Sequence, residues 1–104
     1  KVLLMDEPFS AVDAMTRAIL QELLLSIWEK LPITILFVTH DVDEAVFLSS
    51  HIISLGKAPI GLKEDIAVNL PYPRNQIETR KSKHFTVMQH KLFSSIFSQE
   101  KGQA

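Results

Sequence analysis

The sequence predicts an α/β fold, with a parallel β-sheet, flanking helices and a helical appendage at the C-terminal end. Two apolar runs, at 2–5 and 33–38, show no alternation with polar residues. Such runs are typical of strands buried on both faces of a parallel sheet. A longer helical segment lies between them, and the strand–helix–strand order is the connection that parallel strands need.

The first strand is Val2-Leu3-Leu4-Met5, which stops at Asp6. A buried strand needs a neighbour on each side, and this one follows directly on Lys1. We therefore expect the natural protein to extend further toward its N-terminus.

The first helix is predicted over Ala14–Lys30, before Pro32. Apolar residues recur at helical spacing, so we expect them to form the buried stripe. They are Met15, Ile19, Leu23 and Ile27, with Leu20, Leu24 and Trp28 beside them. The Ser-x-x-acid pattern from Ser10 to Asp13 predicts the N-terminal cap of this helix.

The rest of the chain continues the alternation. A strand at 33–38 leads into a short helix that Asp41 and Glu44 can cap, and a third strand follows at 52–55. The order β-α-β-α-β favours a parallel sheet for these strands. A turn between Gly56 and Gly61 would bring residues 62–70 back as a hairpin strand, and a helix begins after Ser82.

Composition excludes some classes of site. The chain contains no cysteine, so disulfides and cysteine-ligated metals are ruled out. Residues 1–73 carry five basic and ten acidic side chains, whereas residues 74–104 carry six basic and two acidic ones. We expect the basic tail to be a solvated helix face, with an anionic surface or nucleic acid as alternatives.

Asp6 and Glu7 follow the first strand, and ligands of open α/β sheets bind beyond the carboxyl ends of the strands. Adjacent residues point to opposite sides there. Asp6 can hold Mg²⁺ through water, while Glu7 can polarise an attacking water. The alternative is a pair of solvated carboxylates.

His40 ends the second strand and is expected at the same edge as Asp6 and Glu7. A neutral imidazole there can bridge a γ-phosphate and the attacking water. The alternative is a histidine at a helix start with no ligand. None of the three glycines fits the G-x-x-x-x-G-K-[ST] pattern of a phosphate-binding P-loop.

Three segments together resemble the ATPase subunits of ABC transporters. Val2-Leu3-Leu4-Met5-Asp6-Glu7-Pro8 resembles their Walker B segment, Ser10-Ala11-Val12-Asp13 their D-loop, and Val38-Thr39-His40-Asp41 their H-loop. They occur in the family's order and at its usual separations. The stretch from Asp6 through Leu48 is similar to the nitrate, sulfonate and taurine importer branch. The tail from Pro71 to Phe97 also resembles that branch, with less specificity.

The resemblance implies the C-terminal part of a P-loop NTPase sheet that uses ATP and Mg²⁺. It assigns Mg²⁺ binding to Asp6, the catalytic base to Glu7 and the γ-phosphate contact to His40. The segment of Ser10, Ala11, Val12 and Asp13 would contact a second ATPase subunit in a homodimer, with Val12 where leucine is common. Membrane permease subunits and, indirectly, a solute-binding protein would be partners at the cytoplasmic face of the membrane, without nucleic acid.

The chain would comprise the C-terminal part of the ATPase domain at 1–70 and a helical extension at 71–104. It lacks the P-loop, the Q-loop and the signature motif, so we expect the isolated chain to be inactive. Two alternatives stay open. One is a non-catalytic fragment that only binds partners, and the other is a fragment of an ABC ATPase that does not serve transport.

Overall fold

The computed structural model describes residues 1–55 and 62–102, with the side chains of 1–55 and 65–98. The predicted turn between Gly56 and Gly61 lies outside the described residues. Within the described part, the elements are β1 (Val2–Asp6), α1 (Ala14–Lys30), β2 (Thr34–Val38), α2 (Val42–Leu48), β3 (His51–Leu55), β4 (Leu62–Ala67), α3 (Glu78–Lys81) and α4 (Lys83–Gly102).

Strands β1 and β2 pair in parallel, with α1 as the connection between them. Val2 lies opposite Thr34 at one end, and Asp6 lies opposite Val38 at the other. This pairing confirms the predicted parallel α/β unit. It also brings the residues that follow both strands to one edge of the sheet.

Strand β3 does not extend that sheet in the described residues. It pairs antiparallel with β4, and His51 lies opposite Ala67. The predicted hairpin is confirmed, whereas the expectation that all three strands of the β-α-β-α-β order share a parallel sheet is wrong. The short connection between β3 and β4 explains why these two strands pair antiparallel, because a parallel pair needs a crossover of a dozen or more residues.

The core is formed mainly by α2, the hairpin and α4. Val46 and Phe47 of α2 are fully buried at its centre. Around them pack Leu25, Ile52, Ile66, Val68, Leu70, Phe85 and Leu92. The hydrophobic core therefore joins the segment before residue 71 to the one after it.

Helix α1 turns a different side inward from the one predicted. Met15, Ile19, Leu23 and Ile27 are exposed, and the buried side chains are Gln21 and Leu25. Apolar residues surround most of this helix, so periodicity alone does not select a face. No helix in the described ranges is both long and apolar enough to cross a membrane.

The basic tail is only partly a solvated surface. Arg74 is buried and donates hydrogen bonds to the carbonyl oxygens of Phe47, Ser49 and Leu70 at 3.0, 2.8 and 3.0 Å. Its guanidinium also lies 4.0 Å from the ring centroid of Tyr72. The expectation of a solvated helix face is therefore wrong for Arg74, which ties the tail to the end of α2.

Candidate functional site

Glu7 and His40 meet at the carboxyl edge of the parallel strands. The Glu7 amide donates to the carbonyl of Val38 at 2.8 Å, which extends the strand pairing by one residue. The Glu7 Oε2 atom then lies 3.2 Å from Nδ1 of His40. The side chain of His40 is 83% exposed and that of Glu7 is 35% exposed, so both remain open to a ligand or to water.

The backbone of Glu7 adopts a conformation that sequence reasoning missed. Its φ angle is 47°, in the left-handed region that few residues other than glycine occupy. Such a conformation costs about 1–3 kcal/mol, and residues that adopt it cluster at active sites, ligand clamps and switch regions. Here it is the point where the chain leaves β1, and it accompanies the approach of Glu7 to His40.

A small cleft of about 90 Å³ lies beside this pair. Its walls include Glu7, Ser10, Arg17, His40 and Glu44. The space suits a few water molecules or a single phosphate group, and it is too small for a whole nucleotide. Asp6, the last residue of β1, is exposed next to Glu7.

The segment of residues 10–13 is held in place by Arg17. The Arg17 guanidinium donates to the carbonyl oxygens of Phe9 at 3.2 Å and Val12 at 3.0 Å. Ser10, Ala11 and Asp13 are exposed, while Val12 is half-buried. The role of Arg17 was not predicted, and the one available signal was its position four residues after the predicted D-loop.

Asp13, and not Ser10, caps α1. Its carboxylate accepts hydrogen bonds from the amides of Met15 and Thr16, both at 3.2 Å. The pKa of Asp13 is lowered from its ordinary value of 3.8, first by the side chain of Thr16 and then by the Thr16 amide. The predicted D-loop therefore ends in a charged cap that fixes the start of the helix.

Two short-range hydrogen bonds stabilise the loop that carries His40. The Asp41 amide donates to Oγ1 of Thr39 at 3.0 Å. The Asp41 carboxylate accepts from the amide of Glu44 at 3.3 Å, which confirms Asp41 as the predicted cap of α2. The position of His40 thus depends on where α2 begins.

Glu44 was expected to share the cap of α2, but its side chain is buried against Gln21 instead. It is only 4% exposed, and its Oε2 atom accepts a hydrogen bond of 2.8 Å from Nε2 of Gln21. Gln21, 2% exposed, accepts in turn from Gln76 at 2.8 Å and Arg80 at 3.3 Å. No sequence signal indicated this network, because the partners of Gln21 lie too far away along the chain to be inferred.

A magnesium ion would find one carboxylate here rather than a complete cage. Within residues 1–55 and 65–98, no three His, Asp or Glu side chains form a group that could hold a metal ion. Mg²⁺ is commonly bound by one or two carboxylates together with waters and substrate phosphates. The exposed Asp6 fits that pattern, provided that a phosphate group shares the ion.

No family model matches the chain. Curated proteins, however, are similar to it in sequence. An ATP-binding protein of Brucella abortus is 41% identical over 100 residues, which are 96% of this chain and 38% of the relative. An aliphatic sulfonates import ATP-binding protein of Bacillus cereus is 53% identical over 75 residues, which are 72% of this chain and 30% of the relative.

These relatives support a fragment of an ABC ATPase, the class that the resemblance of its motifs indicated. Within that class, one of the relatives is named for the import of aliphatic sulfonates. The chain spans well under half the length of these relatives.

Proposed function

We propose that the chain supplies the hydrolytic edge of the ATP site in an ABC importer subunit. In this proposal Glu7 is the catalytic base, Asp6 binds Mg²⁺ and His40 contacts the γ-phosphate. The transported solute belongs to the group of sulfonate, nitrate, taurine or a similar small anion or zwitterion. The names of the relatives, one of which imports aliphatic sulfonates, support this assignment.

The observation that carries the proposal is the 3.2 Å approach of the Glu7 carboxylate to the His40 imidazole. The two residues follow different strands, and parallel pairing brings both to the edge where α/β sheets bind ligands. A carboxylate and an imidazole that line the same small cleft can both contact a water molecule or a phosphate oxygen placed there. The alternative of solvated carboxylates does not explain the left-handed backbone of Glu7.

Each residue then has a separate task. Mg²⁺, when bound with ATP, neutralises charge on the phosphate oxygens. Glu7 accepts a proton from the attacking water, and His40 donates a hydrogen bond to a γ-phosphate oxygen. Asp6 would hold the ion through its carboxylate. Arg17 keeps the backbone of residues 9–12 fixed beside this edge.

Several partners follow from the same proposal. The exposed side chains of Ser10, Ala11 and Asp13 would contact a second ATPase subunit across the nucleotide. Permease subunits, and through them a solute-binding protein, would place the chain at the cytoplasmic face of the membrane. In this arrangement residues 1–70 belong to the ATPase domain, and residues 71–104 form its helical extension.

A segment-swapped subunit tests the proposal. In it, the matching segment of the Bacillus cereus relative is replaced by this chain. We expect the swapped subunit to hydrolyse ATP, and His40→Ala to lower kcat by about 10²-fold, as removal of a donor to developing charge does. His84→Ala, at an exposed position of α4, is the matched control and should leave kcat unchanged. A swapped subunit whose kcat is the same with and without His40 would contradict the proposal.

One observation favours a second candidate, a non-catalytic chain that only binds partners. Met15, Ile19, Leu23 and Ile27 form an exposed apolar row on α1. Such a row suits a protein contact better than solvent. If the segment-swapped subunit is folded and binds ATP but does not hydrolyse it, this candidate replaces the first. The remaining alternative, an ABC ATPase outside transport, has less support because one of the reported relatives is an import protein.

A further inference from the structure

A polar network connects the tail of the chain to the loop that carries His40. Its members are Glu44 on α2, Gln21 on α1, Gln76 ahead of α3, and Arg80 on α3. Gln21 donates to Glu44, and Gln76 and Arg80 donate to Gln21. Four parts of the chain therefore meet through one glutamine side chain.

The side-chain amide of Gln76 makes three hydrogen bonds. Its amide nitrogen donates to Oε1 of Gln21 at 2.8 Å and to the carbonyl of Ala18 at 3.0 Å. Its amide oxygen accepts from Nε of Arg80 at 2.6 Å. The backbone amide of Gln76 donates to the carboxylate of Glu22 at 2.7 Å. Gln76 thereby fixes the tail to α1 beside residues 18–22.

The tail also contacts the residue next to Glu44. Asp43 accepts a hydrogen bond of 2.6 Å from Gln89 of α4, and its carboxylate lies 3.9 Å from Nη1 of Arg80. The Arg80 guanidinium further lies 4.9 Å from the ring centroid of Phe47 and 5.4 Å from that of Phe85. Both acidic residues of the first turn of α2 are therefore engaged, one directly and one through Gln21.

These contacts matter because α2 is short. It has seven residues, and isolated helices below about 12–15 residues are marginal in water. The burial of Val46 and Phe47 holds α2 in the core and selects the side that faces inward, but both residues lie toward the C-terminal end of the helix. Hydrogen bonds are directional. Those to Asp43 and Glu44 thus set the orientation of the first turn, and with it the loop containing His40.

We propose that Gln21, Gln76 and Arg80 are positioning residues for His40, so that the C-terminal extension sets the geometry of the hydrolytic edge. The inference rests on the proposed function for its catalytic consequence. Its structural part, the coupling of the tail to His40, does not depend on that function.

The structural part is tested on the chain itself at low concentration. Hydrogen exchange measured by mass spectrometry reports on the amides of 42–45, and deuterium exchange at Cε1 of His40 reports on its ring. Gln76→Ala should accelerate amide exchange by about ten-fold, the effect of roughly one lost hydrogen bond. It should also change the exchange rate of the His40 ring. Lys81→Ala, an exposed neighbour in α3, should change neither.

A reversed pair separates positioning from loss of folding. Gln21→Glu sets a second carboxylate against Glu44 and should accelerate both exchange rates. Adding Glu44→Gln restores the hydrogen bond with its direction reversed, because the amide at position 44 now donates to the carboxylate at position 21. The deuterium exchange rate of the His40 ring should then return close to that of the parent. If Gln76→Ala and Gln21→Glu leave the His40 rate unchanged, or if the double variant shows no recovery, the inference is overturned.

The catalytic part is tested in the segment-swapped subunit. Gln76→Ala should lower kcat by roughly ten-fold or more with KM for ATP unchanged, because misplacing a catalytic group affects turnover rather than binding. An altered His40 exchange rate with unchanged kcat would overturn the catalytic consequence alone. A failure of Glu7→Gln to slow hydrolysis would instead remove the proposed function and leave the coupling of the tail to His40 intact.

Discussion

The carboxylate of Glu7 lies 3.2 Å from the imidazole of His40, although the two residues follow different strands. Parallel pairing of β1 with β2 produces this proximity, since it aligns Asp6 with Val38. A hydrogen bond of 2.8 Å from the Glu7 amide to the Val38 carbonyl continues the strand pairing past Asp6. It keeps Glu7 beside the strand that leads to His40.

The cap of α1 should make helix stability depend on acid pH. The pKa of Asp13 is depressed in the folded chain, so its contribution is complete above the ordinary value of 3.8 and is lost as the pH falls through the folded value. Asp13→Asn keeps a capping side chain that does not titrate. We expect equal helicity by circular dichroism near pH 7, and higher helicity for the variant once the pH is well below 3.8. Parallel acid transitions for both proteins would contradict this account of the cap.

Asp6→Asn should raise the Mg²⁺ concentration that gives half-maximal hydrolysis in the segment-swapped subunit. Loss of the carboxylate charge weakens a site that has one protein carboxylate, and we expect a change of about ten-fold or more. The readout is the ATPase rate against Mg²⁺ concentration. Glu29→Gln is the control, since Glu29 is an exposed carboxylate near the C-terminal end of α1, away from this edge. An unchanged Mg²⁺ dependence for Asp6→Asn would assign the ion to another group.

The isolated chain should bind Mg-ATP negligibly. Its three glycines do not form a P-loop pattern, so the backbone amides that cradle phosphates and the accompanying lysine are absent from its sequence. Titration calorimetry should show no saturable heat at millimolar nucleotide. Binding in the sub-millimolar range would mean that the residues of this chain form a nucleotide site by themselves.

The small parallel sheet should promote self-association of the isolated chain. Val2, Leu4 and Leu36 are exposed on its strands. The unpaired edges of apolar strands are templates for pairing with other chains. Sedimentation velocity should show an average mass that rises with concentration, and Leu4→Glu should reduce that rise. Val87→Glu, at an exposed apolar position on α4, is the control. A monomer at all concentrations with a cooperative melt would argue against this expectation.

Local sequence patterns were sufficient for most elements. Continuous apolar runs predicted β1 and β2, helical spacing predicted α1, and the Asp41 cap predicted the start of α2. Each of these signals depends on residues a few positions apart, which one sequence displays. The meeting of Glu7 with His40 followed from the same reasoning, because the carboxyl ends of parallel strands share an edge.

Long-range partners account for what the sequence did not reveal. Gln21 is buried because Glu44, Gln76 and Arg80 satisfy its amide, and none of them lies near it in sequence. The prediction of which face of α1 is buried was wrong for that reason. The buried position of Arg74 depends likewise on carbonyl groups at the end of α2. The φ angle of Glu7 has no signature in residue type at all.

Glu7→Gln in the segment-swapped subunit tests the central claim most directly. The amide keeps the shape of the side chain and can still contact the water, but it cannot accept the proton. The account predicts a steady-state ATPase rate lower by about 10²–10⁴-fold, with Mg-ATP binding retained and an ATP-bound dimer accumulating in gel filtration. Hydrolysis at the parental rate would show that Glu7 is not the base, and would contradict the assignment of this edge as the hydrolytic site.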